Sequence, residues 1–326
     1  MHDVFGGVKR LFWNPGEGRL RAPFRIPVGI VLFWLAALLV TGLVRTLGGF
    51  VPVPGPAAPV VSVGLLLVAF VGVTWFIDRR RLCDIGLQFD RAWWADLGAG
   101  LAVGLGMVVA VVAVLVVAGL AAVGTPARPG NPDVVLGSGS GALLYGFALF
   151  AAFAVLEEYI LRGYLLVNIA EGLRGYVGVD RTAVLVAVGT TAGLFGLLHA
   201  ANPSGSLLSM LNISLAGVLL GLAYVATDRL AFPVGLHVTW NFALGPLFGL
   251  PISGLTVDTA LVAVGERGPD LVTGGAFGPE GGLVMFVALA VGTGALAVWT
   301  RRRHGGFGVL ERVAVPDLWS QESSDS

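Results

Sequence analysis

Five ionisable side chains stand inside or at the edge of stretches that are otherwise almost wholly apolar. They are Glu157, Glu158 and Arg162 in AVLEEYILRG, then His199 and His237, with Asn202 and Asn241 as polar neighbours. Each such group costs from about 2.5 kcal/mol upward in lipid, so groups of this kind face one another or a watered cavity and mark function by default. A carboxylate withdrawn from bulk water is a better general base near neutral pH. Hydrogen-bond donors stabilise an oxyanion best where water is scarce. Hydrolysis is therefore one chemistry open to this set. A zinc site, an ion or proton path and an inert interhelical polar network are the others.

The spacings are helical. Glu158 and Arg162 are four residues apart with the acid first, the favourable order for an ion pair on one face, whereas Glu157 points about 100° away and is free to face something else. One Glu can be structural and the other chemical. Phe195 and His199 share a face in the same way, as do His237 and Asn241.

These residues require a membrane bundle to position them. Of 326 residues 56% are hydrophobic, 12% are charged and 49 are glycine, a composition suited to a polytopic membrane protein rather than one soluble core. Apolar stretches of membrane-spanning length recur at 26–46, 57–77, 97–123, 140–168, 182–199, 206–226, 231–250 and 283–299. The expectation is an all-α transmembrane bundle of about eight helices. Basic residues accumulate in cytoplasmic loops, and placing both termini inside puts 16 of the 20 there. Residues 1–25 then form a cytoplasmic segment, 26–299 one transmembrane domain and 300–326 a cytoplasmic tail, in a multi-pass protein of the cell membrane. The first span is too long for a signal h-region and is expected to stay as an anchor.

Three polar regions punctuate the bundle. Residues 78–96 read as a short amphipathic interfacial segment, 124–139 as an outer Pro/Gly loop, and 251–282 as a longer loop whose end, VTGGAFGPEGG, favours turns. Gly100 with Gly104, and Gly217 with Gly221, would let helix backbones approach closely. Trp75, Trp93, Trp94 and Trp299 read as interfacial anchors. The lone Cys83 excludes an internal disulfide, and the zero net charge argues against a nucleic-acid partner. Depth sets a condition on the site. If the fourth helix runs to about residue 173, Glu157 and His199 both stand about 24 to 26 Å above the turn that joins them and can meet. If it stops at 168 they sit nearer opposite faces. His237 lies early in its span, so the turn at 227–231 has to lie deep.

The ordered set Glu157-Glu158-x-x-x-Arg162, Phe195-x-x-x-His199 and His237-x-x-x-Asn241, on three separate apolar segments, resembles the three motifs of the CPBP family. That family includes the type II CAAX prenyl endopeptidases and the bacteriocin-processing or Abi proteins. Each motif alone is weak; the ordered triple is specific, and it covers about residues 140 to 245. The resemblance implies an intramembrane glutamic endopeptidase in which Glu157 and His199 activate water while His237 and Asn241 stabilise the oxyanion. Glu158, Arg162 and Phe195 would support them.

By the same resemblance the mechanism needs no metal or other cofactor, and the sequence has no H-E-x-x-H spacing to favour zinc. The partners implied are the lipid bilayer and a membrane-associated peptide or protein, lipidated or bacteriocin-like. One lysine against nineteen arginines suggests a GC-rich prokaryotic genome, which weakens the prenyl reading. A non-catalytic binding or immunity protein on the same fold, and a transporter using the buried Glu/Arg/His network, are the alternatives; for the transporter, no inverted repeat or paired broken helix is visible.

Overall fold

The structure is a computed structural model that describes residues 10–48, 57–124, 132–174, 176–177, 179–306 and 308–319. His2, Lys9, Arg128 and both chain ends lie outside the described residues. All eight expected spans are helical. They are α1 (Ala22–Gly48), α2 (Ala57–Val73), α3 (Arg91–Val117), α4 (Ser140–Glu158), α5 (Asp180–Leu198), α6 (Leu207–Thr227), α7 (Ala231–Phe242) and α8 (Met285–Arg303). Three of them continue into π-helical turns: α2 through Thr74–Asp78, α4 through Tyr159–Leu166 and on to Leu173, α7 through Ala243–Leu247. Six of the helices, α1 to α6 with their continuations, are long and apolar enough to cross a membrane. The chain is a multi-pass membrane protein built as an all-α bundle. Helix α7 is short before its π turn, and α8 closes on Arg301, Arg302 and Arg303.

Two expected boundaries move, each for a local reason. Helix α3 starts at Arg91 because the Asp90 carboxylate caps it, accepting the Trp93 backbone N–H at 2.7 Å. Only a 3₁₀ turn at Leu82–Ile85 and the flanking loop are left of the expected interfacial segment. At the other end α3 stops at Val117 and Gly119 takes φ +71°, a left-handed conformation that costs glycine little. The chain then leaves as β1 (Ala121–Gly124), which pairs antiparallel with β2 (Ala263–Glu266) in the 251–282 loop. The rest of that loop is turns, as its glycines suggest. Trp93 is buried, donating its indole N–H to the Gly86 carbonyl at 2.9 Å, while Trp75 and Trp94 are exposed as interfacial residues are.

Helices α3 and α7 approach closely through glycines. A Cβ on Gly100 would lie 2.2 Å from the Phe232 carbonyl oxygen, and one on Gly235 would lie 2.4 Å from that of Leu97. The Thr239 hydroxyl then reaches across to donate to the Leu101 carbonyl at 2.8 Å. Gly217 and Gly221 pack likewise against Ala192 and Val188 of α5. The expected small-residue packing is present, and it fixes α7, the helix that carries His237.

The rod formed by α4 and its continuation is 34 residues long and ends at Leu173, which meets the depth condition. Its far end is held by a buried ionic cluster. Glu171 accepts from Arg19 at 2.9 Å, Arg25 at 2.7 Å and Arg80 at 2.5 Å, and Asn168 bridges Arg25 and Asp78. Arg19, Arg25 and Arg80 are buried rather than lying free in polar segments. Burying such charges is tolerable only with this pairing.

At the end of β2, burial pushes the Glu266 carboxyl up to about 7; a Thr273 hydrogen bond opposes the rise and the Asp270 charge adds to it. Between its ordinary value of 4.5 and about 7, the folded state therefore holds more of this proton than the unfolded chain does. Rising pH removes that contribution to stability. The thermal unfolding midpoint of the detergent-solubilised protein should fall across this window, and Glu266→Gln should make the slope measurably shallower.

Candidate active site

Glu158 has no solvent exposure, and its Oε1 atom accepts two hydrogen bonds. Arg162 Nη1 donates from one turn along α4 at 2.7 Å, and His237 Nδ1 donates from α7 at 2.9 Å. Arg162 also donates to the Gly217 carbonyl on α6 at 3.1 Å and lies over the Phe195 ring of α5 at 5.0 Å. The expected same-face ion pair is present and joins four helices. Glu157 points away from it, as its helical phase requires. One of its oxygens lies 3.7 Å from His237 Nε2, and its side chain is 37% exposed towards the interior cavity.

That cavity has a volume of about 400 Å³. Glu157, His199, His237 and Asn241 all line it, amid apolar walls from α4 and α6 such as Phe150, Leu219 and Leu220. His199 sits where α5 passes into the 3₁₀ turn His199–Ala201. Its Nδ1 lies 2.7 Å from the Phe195 carbonyl, which can only accept, so Nδ1 carries the proton. In the neutral ring Nε2 is then a free acceptor. The Phe195 ring packs edge-on against both His199, at 4.8 Å, and His237, at 5.7 Å. In the turn before α7, Thr227, Leu230 and Ala231 are buried, while Asp228 and Arg229 between them pair with the exposed Arg312 and Asp90.

The structure thus brings the three motif segments together around one space. It also adds residues that sequence reasoning missed. Glu280, in the glycine-rich end of the 251–282 loop, is a buried carboxylate on the cavity wall. Trp240, Ser253 and Asn212 hydrogen-bond to it, and Asn202 binds the Ser253 carbonyl at 2.9 Å. A lone acid between glycines, just ahead of an apolar span, was the available signal. Among the described residues there is no group of three or more His, Cys, Asp and Glu side chains arranged to hold a metal ion.

A multi-pass bundle with paired carboxylates and imidazoles around an internal cavity defines a membrane protein with its polar chemistry inside the helices. A comparison bears on the family: residues 139–243 match the model described as Type II CAAX prenyl endopeptidase Rce1-like. That stretch runs from the start of α4 to the end of α7 and contains all three motifs. The match covers 105 of the 326 residues and supports the resemblance to CPBP and CAAX-type endopeptidases over this stretch. No curated protein and no solved structure gives a significant match.

Arg162→Met should leave the Glu158 carboxylate buried beside His237 without its cation. Breaking a buried pair in this way costs about 3 to 5 kcal/mol, read as a large drop in thermal unfolding midpoint. Arg162→Lys keeps the charge while losing the planar stacking on Phe195, and should fall between the variant and the wild type.

Proposed function

We propose that the protein is a glutamic intramembrane endopeptidase, hydrolysing a peptide bond of a membrane-associated protein or peptide at the cell membrane without a metal. The observation that carries this reading is the shared cavity wall of Glu157, His199, His237 and Asn241, drawn from three helices. Glu157 takes a proton from a water held with the help of the free His199 Nε2. The water oxygen bonds to the scissile carbonyl carbon, whose oxygen becomes anionic. Asn241 Nδ2 and His237 donate to that oxygen. His237 Nδ1 already donates to Glu158, so its Nε2 is a donor only in the imidazolium form, with Glu158 as the counter-ion. The Glu157 proton then passes to the amine nitrogen as the C–N bond breaks.

The walls favour an apolar, uncharged stretch of substrate, in keeping with a segment presented from the bilayer. Lipidated peptides and bacteriocin-like peptides both fit this description.

The test has two arms. Purified full-length protein is assayed on an internally quenched peptide ending in a farnesylated cysteine and three further residues. Membranes from cells carrying wild type or Glu157→Gln are compared by proteomics for products specific to the wild type. Glu157→Gln should lower cleavage at least about 100-fold, the usual contribution of a general base, with an unchanged unfolding midpoint because the side chain is partly exposed. Strong chelators should leave the rate unchanged. Undiminished cleavage by Glu157→Gln, or loss restored specifically by zinc, would overturn the mechanism; absence of any Glu157-dependent product in both arms would overturn the protease reading.

A further inference from the structure

Glu280 lies on the wall of the same cavity as Glu157 and is only 6% exposed. A carboxylate withdrawn this far from water needs donors, and this one has three. Its Oε1 accepts the Trp240 indole N–H at 2.9 Å; its Oε2 accepts the Ser253 backbone N–H at 2.5 Å and the Ser253 hydroxyl at 2.8 Å. Its backbone carbonyl accepts Asn212 Nδ2 at 2.9 Å, which ties the turn to α6.

Each donor belongs to a segment that carries or touches a motif residue. Trp240 lies three residues after His237 and directly before Asn241, so holding its indole fixes the rotation of α7 about its axis. Ser253 is held at φ +47°, an uncommon conformation for a residue with a side chain. Its carbonyl accepts Asn202 Nδ2 at 2.9 Å, and the Asn202 backbone N–H in turn donates to the His199 carbonyl at 3.1 Å. A continuous chain therefore runs from the His199 turn through Asn202, Ser253 and Glu280 to Trp240 and α7. The contact is close as well as polar: a Cβ on Gly254 would lie 2.1 Å from the Pro203 carbonyl oxygen.

Resting on the protease reading above, we infer that Glu280 is a positioning residue for the reaction: its carboxylate sets the separation between the His199 turn and the His237/Asn241 helix. It does so from outside the reacting atoms, because its two oxygens are occupied by Trp240 and Ser253. Glutamine cannot reproduce this. Its single oxygen can serve one side, and its NH₂ then meets a donor on the other. Binding of the apolar substrate stretch relies mainly on walls that this change leaves in place, so the loss falls on kcat.

The experiment uses the full-length protein in detergent and the farnesylated quenched peptide. Glu280→Gln should lower kcat at least about 10-fold while KM stays within about two-fold, and Trp240→Phe, which deletes a single bond of the chain, should lower kcat by less. Glu280→Gln combined with Asn202→Ala should be no slower than the worse single variant, since both cut one chain. Hydrogen–deuterium exchange supplies an activity-independent readout: amides of 199–206 and 250–256 should exchange faster in Glu280→Gln, with those of α3 unchanged.

Wild-type kcat in Glu280→Gln, multiplicative losses in the double variant, or unchanged exchange at 199–206 would overturn the proposal. Absence of any Glu157-dependent product from both the peptide and the membranes would instead defeat the protease reading, and a Glu157→Gln that cleaves normally would defeat its glutamic mechanism; in either case the exchange comparison would still decide whether Glu280 braces the His199 turn. If Glu280→Gln does not fold, Trp240→Phe and Asn202→Ala carry the same kcat and exchange comparison.

Discussion

The carboxylate of Glu158 has no access to water and must be answered from within the protein. Arg162 at 2.7 Å and His237 at 2.9 Å do this, and the consequences reach most of the bundle. Arg162 comes from the same helix and is available by local spacing. His237 comes from α7, 79 residues further along the chain, so α7 has to lie against α4 at this depth. Arg162 in turn needs its remaining donors placed, which draws in the Gly217 carbonyl of α6 and the ring face of Phe195 on α5. One buried negative charge thus specifies the neighbours of four helices, and it leaves Glu157, one step round the helix, facing the cavity.

Polar constraint alone would not hold these helices at the required separation, because apolar side chains gain little from one another in lipid. Close backbone contact and interhelical hydrogen bonds do more there. The α3–α7 crossing shows both: Gly100 and Gly235 remove the Cβ atoms that would collide, and Thr239 donates across the gap to Leu101. At the far end of the α4 rod, three arginines converge on Glu171 and Asp78. That cluster pins the N-terminal segment and the loop after α2 to the helix that bears Glu157. The site is therefore framed by ionic clusters at two depths and by glycine packing between them.

What could be read in the sequence was what is local. An apolar run long enough to span, a pair of residues four apart, and the ordering of three motifs are all properties of neighbouring positions, and each appears as expected. Partners far apart in sequence were not legible. Glu280 reads as one acid among turn glycines because its donors, Ser253 and Trp240, are 27 and 40 residues away. Arg19 and Arg80 read only as basic residues of the cytoplasmic side; their burial depends on Glu171, 152 and 91 residues distant. The strand at Ala121–Gly124 had the same difficulty, since it looks like the end of an apolar helix until β2 is brought beside it.

The π-helical turns show how these demands are reconciled on a single rod. From Glu157 to Glu171, α4 has to present carboxylates to the cavity at one level and Asn168 with Glu171 to the arginines at another. A regular 3.6-residue repeat ties those two directions together. Inserting i→i+5 turns breaks the tie, and such turns are frequent at functional sites. In α4 the π stretch begins at Tyr159, directly after Glu158, and ends at Leu166, two residues before Asn168. It joins the two polar clusters, carrying Arg162 of the first and leading into Asn168 of the second. The Tyr159 hydroxyl donates to Thr74 at 3.0 Å, the residue that opens the π turn of α2. Both irregular segments are thus joined at one buried contact, and Asp78 at the end of the α2 turn delivers its carboxylate to the same arginine cluster. The change of phase lets one helix serve the cavity and the clamp without bending away from either.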